Sequence, residues 1–172
     1  YPGVSFMTED LPVMHQLVLT GNSYVLARRD GVLIDGRQYG PSRQIFDAAL
    51  QRDRAQLRRP SEQRELTSEQ ALAHEHAVGN MVNHPPVGMS PNVTAVPLDV
   101  WDGEGDELTT SDLLACTVPF RPPAAGSPSK QTIVLVATRA MCDEELLLDY
   151  KLRPEGPLEA WYVPASGQAA DA

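Results

Sequence analysis

The sequence predicts a mostly β domain with a few short helices, on three observations. Fifteen of the 172 residues are proline; proline removes a backbone donor and breaks helix interiors, which argues against a helical bundle. The apolar runs are short and bounded by turn signals such as Pro2-Gly3, Asp30-Gly31 and Asp35-Gly36. The clearest of them, Ile133-Val134-Leu135-Val136-Ala137, is a continuous apolar stretch of strand length, as a buried strand requires.

Taken in order, Tyr1–Phe6 reads as the end of a strand at a turn. Ser23–Leu26 and Val32–Ile34, joined through Asp30-Gly31, read as a β-hairpin. Between Ser42 and Arg59 the spacing of Ile45, Phe46, Ala49 and Leu50 changes to that of a helix, which Pro60 stops. Thr67-Ser68-Glu69-Gln70 before Ala71-Leu72 has the polar start of a second helix. Val93–Val100 is strand-like. Asp102–Asp112 is an acidic loop, and Pro119–Lys130 is a flexible Pro/Ser/Ala-rich insertion. Thr132–Thr138 is the buried strand, and Glu144–Tyr150 a further apolar-containing run. Residues 1–164 are expected to form one domain and 165–172 a flexible tail.

Composition narrows the function classes. With 42% apolar residues the chain has enough for one core. A net charge of −9 repels phosphate backbones, so a sequence-independent grip on nucleic acid is not expected. An acidic surface suits a basic peptide partner, or serves solubility alone. Cys116 and Cys142 form no CxxC pair, so the usual structural zinc site is excluded, and both are read as free core thiols. No apolar run approaches the roughly 20 residues of a membrane span, and there is no signal-peptide pattern. An intracellular protein, nuclear or cytoplasmic, away from membranes is expected. The chain opens at Tyr1 without Met, so an upstream segment is expected too.

Other candidate features read as incidental. His74 and His76 are two apart, which suits a strand rather than one helix face, and no further ligand cluster accompanies them; no metal is expected. Arg52, Arg54, Arg58 and Arg59 read as a solvated helix face. Asn92-Val93-Thr94 fits the glycosylation acceptor pattern by accident. Glu144 and Glu145 are adjacent on an extended run, so they face opposite ways and do not share acid–base work.

Three segments carry a more specific signal. Ser23-Tyr24-Val25-Leu26 leads to Val32-Leu33-Ile34-Asp35-Gly36. Gly79-Asn80-Met81-Val82-Asn83-His84 precedes Pro91-Asn92-Val93. Ile133–Asp149 ends in Glu144-Glu145-Leu146-Leu147-Leu148-Asp149-Tyr150. In this order and at these spacings they resemble the SET-domain family of protein-lysine methyltransferases. The opening Tyr1-Pro2-Gly3, the Asp30–Gly36 run and Gln51-Arg52-Asp53-Arg54 are most similar to the group of SET-domain-containing protein 9.

The resemblance implies a β-clip fold of short curved sheets with a C-terminal pseudoknot. It implies S-adenosylmethionine as cofactor and a lysine-bearing protein or peptide as substrate. By the same resemblance Tyr150 is the catalytic tyrosine, Asn83 and His84 lie at the cofactor, and Tyr24 lines the substrate channel. Methyl transfer to lysine is an in-line displacement by a neutral amine, so a group with a pKa of about 10.4 must first lose a proton. An apolar, aromatic channel favours that loss.

The sequence departs from the family pattern at several points. Pro85-Pro86 replaces a Ser-Cys pair and removes two backbone donors beside the cofactor. Asp143 stands where a glycine is usual, at a turn suited to positive φ. The family's glycine-rich cofactor strand is expected ahead of Tyr1, outside this sequence. No cysteine-rich segment follows Tyr150, leaving Lys151–Pro164, with Trp161 and Tyr162, to close the channel. These departures support an alternative: a catalytically degenerate SET module that binds a protein segment.

Overall fold

The structure is a computed structural model that describes residues 1–56, 68–73, 77–101, 116–151 and 162–164. It is a mixed α/β chain of short sheets and few helices, which the expected mostly β class fits loosely. The chain divides into two compact units. One comprises Tyr1–Asn80 and Pro97–Val134, the other Met81–Val96 and Leu135–Ala172. The expected tail, 165–172, and the acidic loop and paired histidines at 102–115 and 74–76 lie outside the described residues.

The first unit is organised on a four-stranded sheet of order β2-β3-β1-β5. Its strands are β1 (Gly3–Phe6), β2 (Val25–Ala27), β3 (Leu33–Asp35) and β5 (Thr117–Pro119). The predicted hairpin forms, with Leu26 opposite Ile34. Its loop is closed by Arg28 N–H donating to Val32 O at 2.8 Å, and Gly31 turns it at φ 88°. β3 pairs antiparallel with β1, and β1 pairs parallel with β5. Gly3 sits at φ 136°, where a Cβ would lie 2.0 Å from Asp35 O, so β1 and β3 approach this closely only with glycine there.

Every residue of β1 is buried. Val4 and Phe6 meet Phe46, Ala49 and Leu50 of α2 (Gly40–Gln56), together with Val118 of β5. Those α2 residues carry the helical spacing read from the sequence. Met14 and Val18 complete the cluster from a segment in which a 3-10 turn (Thr8–Asp10), α1 (Leu11–Met14) and a π-helical turn (His15–Leu19) follow one another. The sequence reading placed no helix there. A short α3 (Ser68–Leu72) adds Ala71 to the same cluster.

Arg28 is 6% exposed and pins the hairpin. Its guanidinium grips Asp30 through Nε and Nη2 at 3.1 and 2.7 Å, Asp99 at 2.7 Å, and the carbonyls of Leu98 and Thr132. A buried cation is tolerable because this many acceptors replace its water.

β4 (Val93–Val100) and β6 (Lys130–Ala137) form a two-stranded sheet, as the sequence predicts for both segments. The Pro/Ser/Ala-rich stretch is shorter than expected. Pro119 belongs to β5 and Lys130 to β6, leaving an exposed loop at 121–126 that turns at Ala124–Ser127. Cys116 is buried, and burial pushes its thiol pKa up. Cys142 is exposed, which corrects its reading as a core thiol; its run carries acids rather than an apolar repeat.

Candidate functional site

The second unit brings the Asn83-His84 segment and the Tyr150 segment together. Leu147 and Leu148 lie between two other stretches of chain, in parallel bridges Asn83↔Leu147 and Val93↔Leu148. Leu148 N–H donates to Asn83 O at 2.9 Å, and Asn92 N–H to Leu147 O at 3.0 Å. The apolar filling is small: Val82, Val93 and Leu148 are buried, with Leu135, Met141 and Tyr150 half-buried against them.

Asn92 fixes this arrangement and is 4% exposed. Its Oδ1 accepts from Leu147 N at 2.7 Å and its Nδ2 donates to Glu145 O at 2.7 Å. The carboxamide therefore imitates a peptide group of a neighbouring strand, supplying one donor and one acceptor. Its own carbonyl accepts from Thr138 N and Oγ1. Asn92 appears in the sequence only as part of a motif and of an incidental acceptor pattern. Its partners lie more than 40 positions away, so no local signal reveals the role.

Tyr150 is half-buried, and its phenol donates to Val82 O at 2.7 Å, across 68 positions of sequence. Its backbone N–H donates to His84 Nδ1 at 3.2 Å. His84 Nε2 lies 2.7 Å from Val163 O, a pure acceptor, so the ring proton sits on Nε2 and Nδ1 is the acceptor. The imidazole lies 4.5 Å from the Tyr162 ring and 5.4 Å from that of Tyr150, tilted to both. Tyr162 is buried. Trp161 lies outside the described residues.

Asn83 is exposed, and its Nδ2 donates to Glu145 Oε1 at 2.7 Å. Glu144 instead pairs with Arg139, whose hydrogen bond holds the Glu144 carboxyl below its ordinary pKa. The two adjacent acids thus serve different partners, as their alternation implies. Asp143 occupies the left-handed region at φ 49°, as expected from its replacing a glycine there.

Of the four sequence-predicted site residues, Asn83, His84 and Tyr150 meet within this unit. Tyr24 belongs to the other unit. There it is half-buried, its carbonyl accepts from Gly36 N, and its ring meets Tyr39 edge-on at 6.1 Å. Among the described residues there is no group of three or more His, Cys, Asp or Glu arranged to hold a metal, and no helix long and apolar enough to cross a membrane.

The chemical capacity of the site is that of a phenol positioned on Val82 O and an exposed carboxamide positioned on Glu145. The Tyr150 hydroxyl donates its proton to Val82 O, and the Asn83 amide donates to Glu145. The backbone at Pro85 and Pro86 offers no donor. No protein-family model, curated protein or solved structure matches the chain.

Proposed function

We propose that the chain is an S-adenosylmethionine-dependent protein-lysine N-methyltransferase built on a SET-type fold, with Tyr150 catalytic and Asn83 and His84 at the cofactor. The observation that carries the reading is the meeting of Val82-Asn83-His84 with Tyr150. Two motif segments far apart in sequence share hydrogen bonds at 2.7 and 3.2 Å. A pocket for methyl transfer from those motifs needs that meeting.

The cofactor fits part of the donor set. Asn83 Oδ1 is available to an amino group, and the segment it stands on is held by Leu148 N–H. The two prolines lower the number of backbone donors, so the grip rests on side chains and on the carbonyls of 83 and 84. When bound, S-adenosylmethionine supplies the electrophilic methyl group. The protein's part is positioning: Tyr150 accepts a hydrogen bond from the amine and orients its lone pair, and placement of this kind is worth orders of magnitude in rate.

The test uses the complete protein and labelled cofactor. Tyr150→Phe keeps the ring and loses the hydroxyl; methyl incorporation into lysine is expected to fall about 100-fold, as for other preorganised donors and acceptors. Unchanged turnover would remove Tyr150 from the chemistry.

A second reading, a non-catalytic SET module that binds a protein segment, is favoured by one observation. Tyr150 and His84 saturate much of each other's polar capacity and that of Val82 and Val163. Calorimetry separates the two: heat of binding with millimolar S-adenosylmethionine favours the enzyme, and none favours the binding module.

A further inference from the structure

A cleft of about 180 Å³ opens in the first unit. Its apolar walls include Met7, Pro119, Pro122 and Pro128, and its charged lining is Glu9, Asp10 and Arg121. Asp10 is 1% exposed. Its Oδ2 accepts from Met7 N at 3.0 Å. Its Oδ1 lies 2.5 Å from Arg121 Nε without the alignment of a hydrogen bond, so that buried oxygen has no hydrogen-bond partner among the described residues.

The two charges are held very differently. A buried carboxylate needs a cation, because the loss of water is otherwise uncompensated. Asp10 is fixed by its own 3-10 turn, with its N–H on Met7 O at 3.0 Å. Arg121 is 56% exposed at the side chain and begins the loop 121–126, every residue of which is exposed. The anion is thus built in, and the cation on it is a poorly aligned, displaceable one.

We infer that this cleft is a docking site for an arginine side chain of a basic peptide partner, with Arg121 as its internal placeholder. A guanidinium arriving from outside can align two N–H groups on one carboxylate, which the tethered Arg121 does not. Prolines and Met7 give rigid apolar walls for the three-carbon stem. The chain's net charge of −9 draws basic segments to it. The inference is independent of the transfer chemistry proposed above.

The probe is a fluorescein-labelled capped peptide, Ala-Ala-Arg-Ala-Ala, against the same peptide with citrulline, the neutral isostere, in place of arginine. Anisotropy is read on the whole chain at about 0.15 M salt, where surface charges are well screened. The arginine peptide is expected to bind at least about tenfold more tightly. Arg121→Ala vacates the site and is expected to tighten binding about fivefold, as for any pre-occupied state that is released. Arg43→Ala makes the same charge change on the surface of α2, where Arg43 pairs with Asp47, and is expected to leave affinity unchanged. Asp10→Asn abolishes the preference for arginine over citrulline. Failure of the arginine peptide to bind, equal affinity for both peptides, no tightening in Arg121→Ala, equal tightening in Arg43→Ala, or an arginine preference that survives Asp10→Asn overturns the inference.

Discussion

In the first unit β1 is buried along its whole length, Phe6 is covered completely, and side chains from three helical segments close over it. Among the described residues of the second unit the buried apolar cluster is Val82, Val93 and Leu148, with Leu147 and Tyr162 also buried, and the order of the chain is set by Asn92, Tyr150 and His84 bonding to backbone groups far away in sequence. The first arrangement draws on removal of apolar surface from water, which is non-directional and tolerant of shape. The second draws on hydrogen bonds, which are modest when made and expensive when one partner is lost. A strongly packed body and a lightly packed, polar-pegged one therefore coexist in one chain, and the candidate site lies in the latter.

The sharpest way to break this contrast is to empty the first core. Phe6→Ala is expected to destabilise by about 3–5 kcal/mol, read as a lower urea midpoint, because the cavity it leaves is enclosed on all sides. A loss under about 1 kcal/mol would mean that β1 does not anchor the unit.

Next in size is Asn92→Ala, which strands Leu147 N–H and Glu145 O at a cost of roughly 2–4 kcal/mol. Its effect is expected to be local: amide hydrogen exchange speeds up at Leu147 and Leu148 while Val4 and Ile34 keep their protection. Uniform acceleration across both units would erase the distinction between them.

The smallest effect is electrostatic and belongs to the first unit. The hydrogen bond from Arg28 holds the Asp30 carboxyl below its ordinary pKa of 3.8. A depressed carboxyl pKa contributes stability that is fully present above the ordinary value and is lost as pH falls through the folded one. The stability gap between the protein and its Asp30→Asn variant is thus expected to be constant near neutrality and to close below about pH 4. The half-exposed position of Asp30 keeps the gap small. A gap that persists unchanged into stronger acid would assign Asp30 a role other than its charge.

The legibility of the sequence follows the same division. The hairpin at Asp30-Gly31, the helix spacing of Phe46, Ala49 and Leu50, and the strands at 93–100 and 132–138 were readable because each depends on residues close together. The helical turns at 8–19 were not. Pro12 there argues locally against a helix, but it falls in the first turn of α1, where its missing N–H has no intrahelical partner to lose. In the site, Asn83, His84 and Tyr150 came from an ordered motif set rather than from any local pattern. The roles of Asn92 and Glu145 come from partners on distant segments, and no spacing rule reaches that far. Each of the two units is likewise assembled from two separate stretches of chain.

That interleaving fixes a timetable during translation. The parallel pairing of β1 with β5 waits for residues 117–119 to leave the ribosome, whereas the bridges to Asn83 and Val93 wait for Leu147 and Leu148. At about 5–20 residues per second, the nascent chain carries Asn83 for several seconds before its bridge partner Leu147 is made. Closing so long a loop yields no contact energy until the ends meet, which makes it a late and slow step. The stretch bearing Tyr150 therefore joins the second unit late, and Tyr162 and Val163 reach His84 later still.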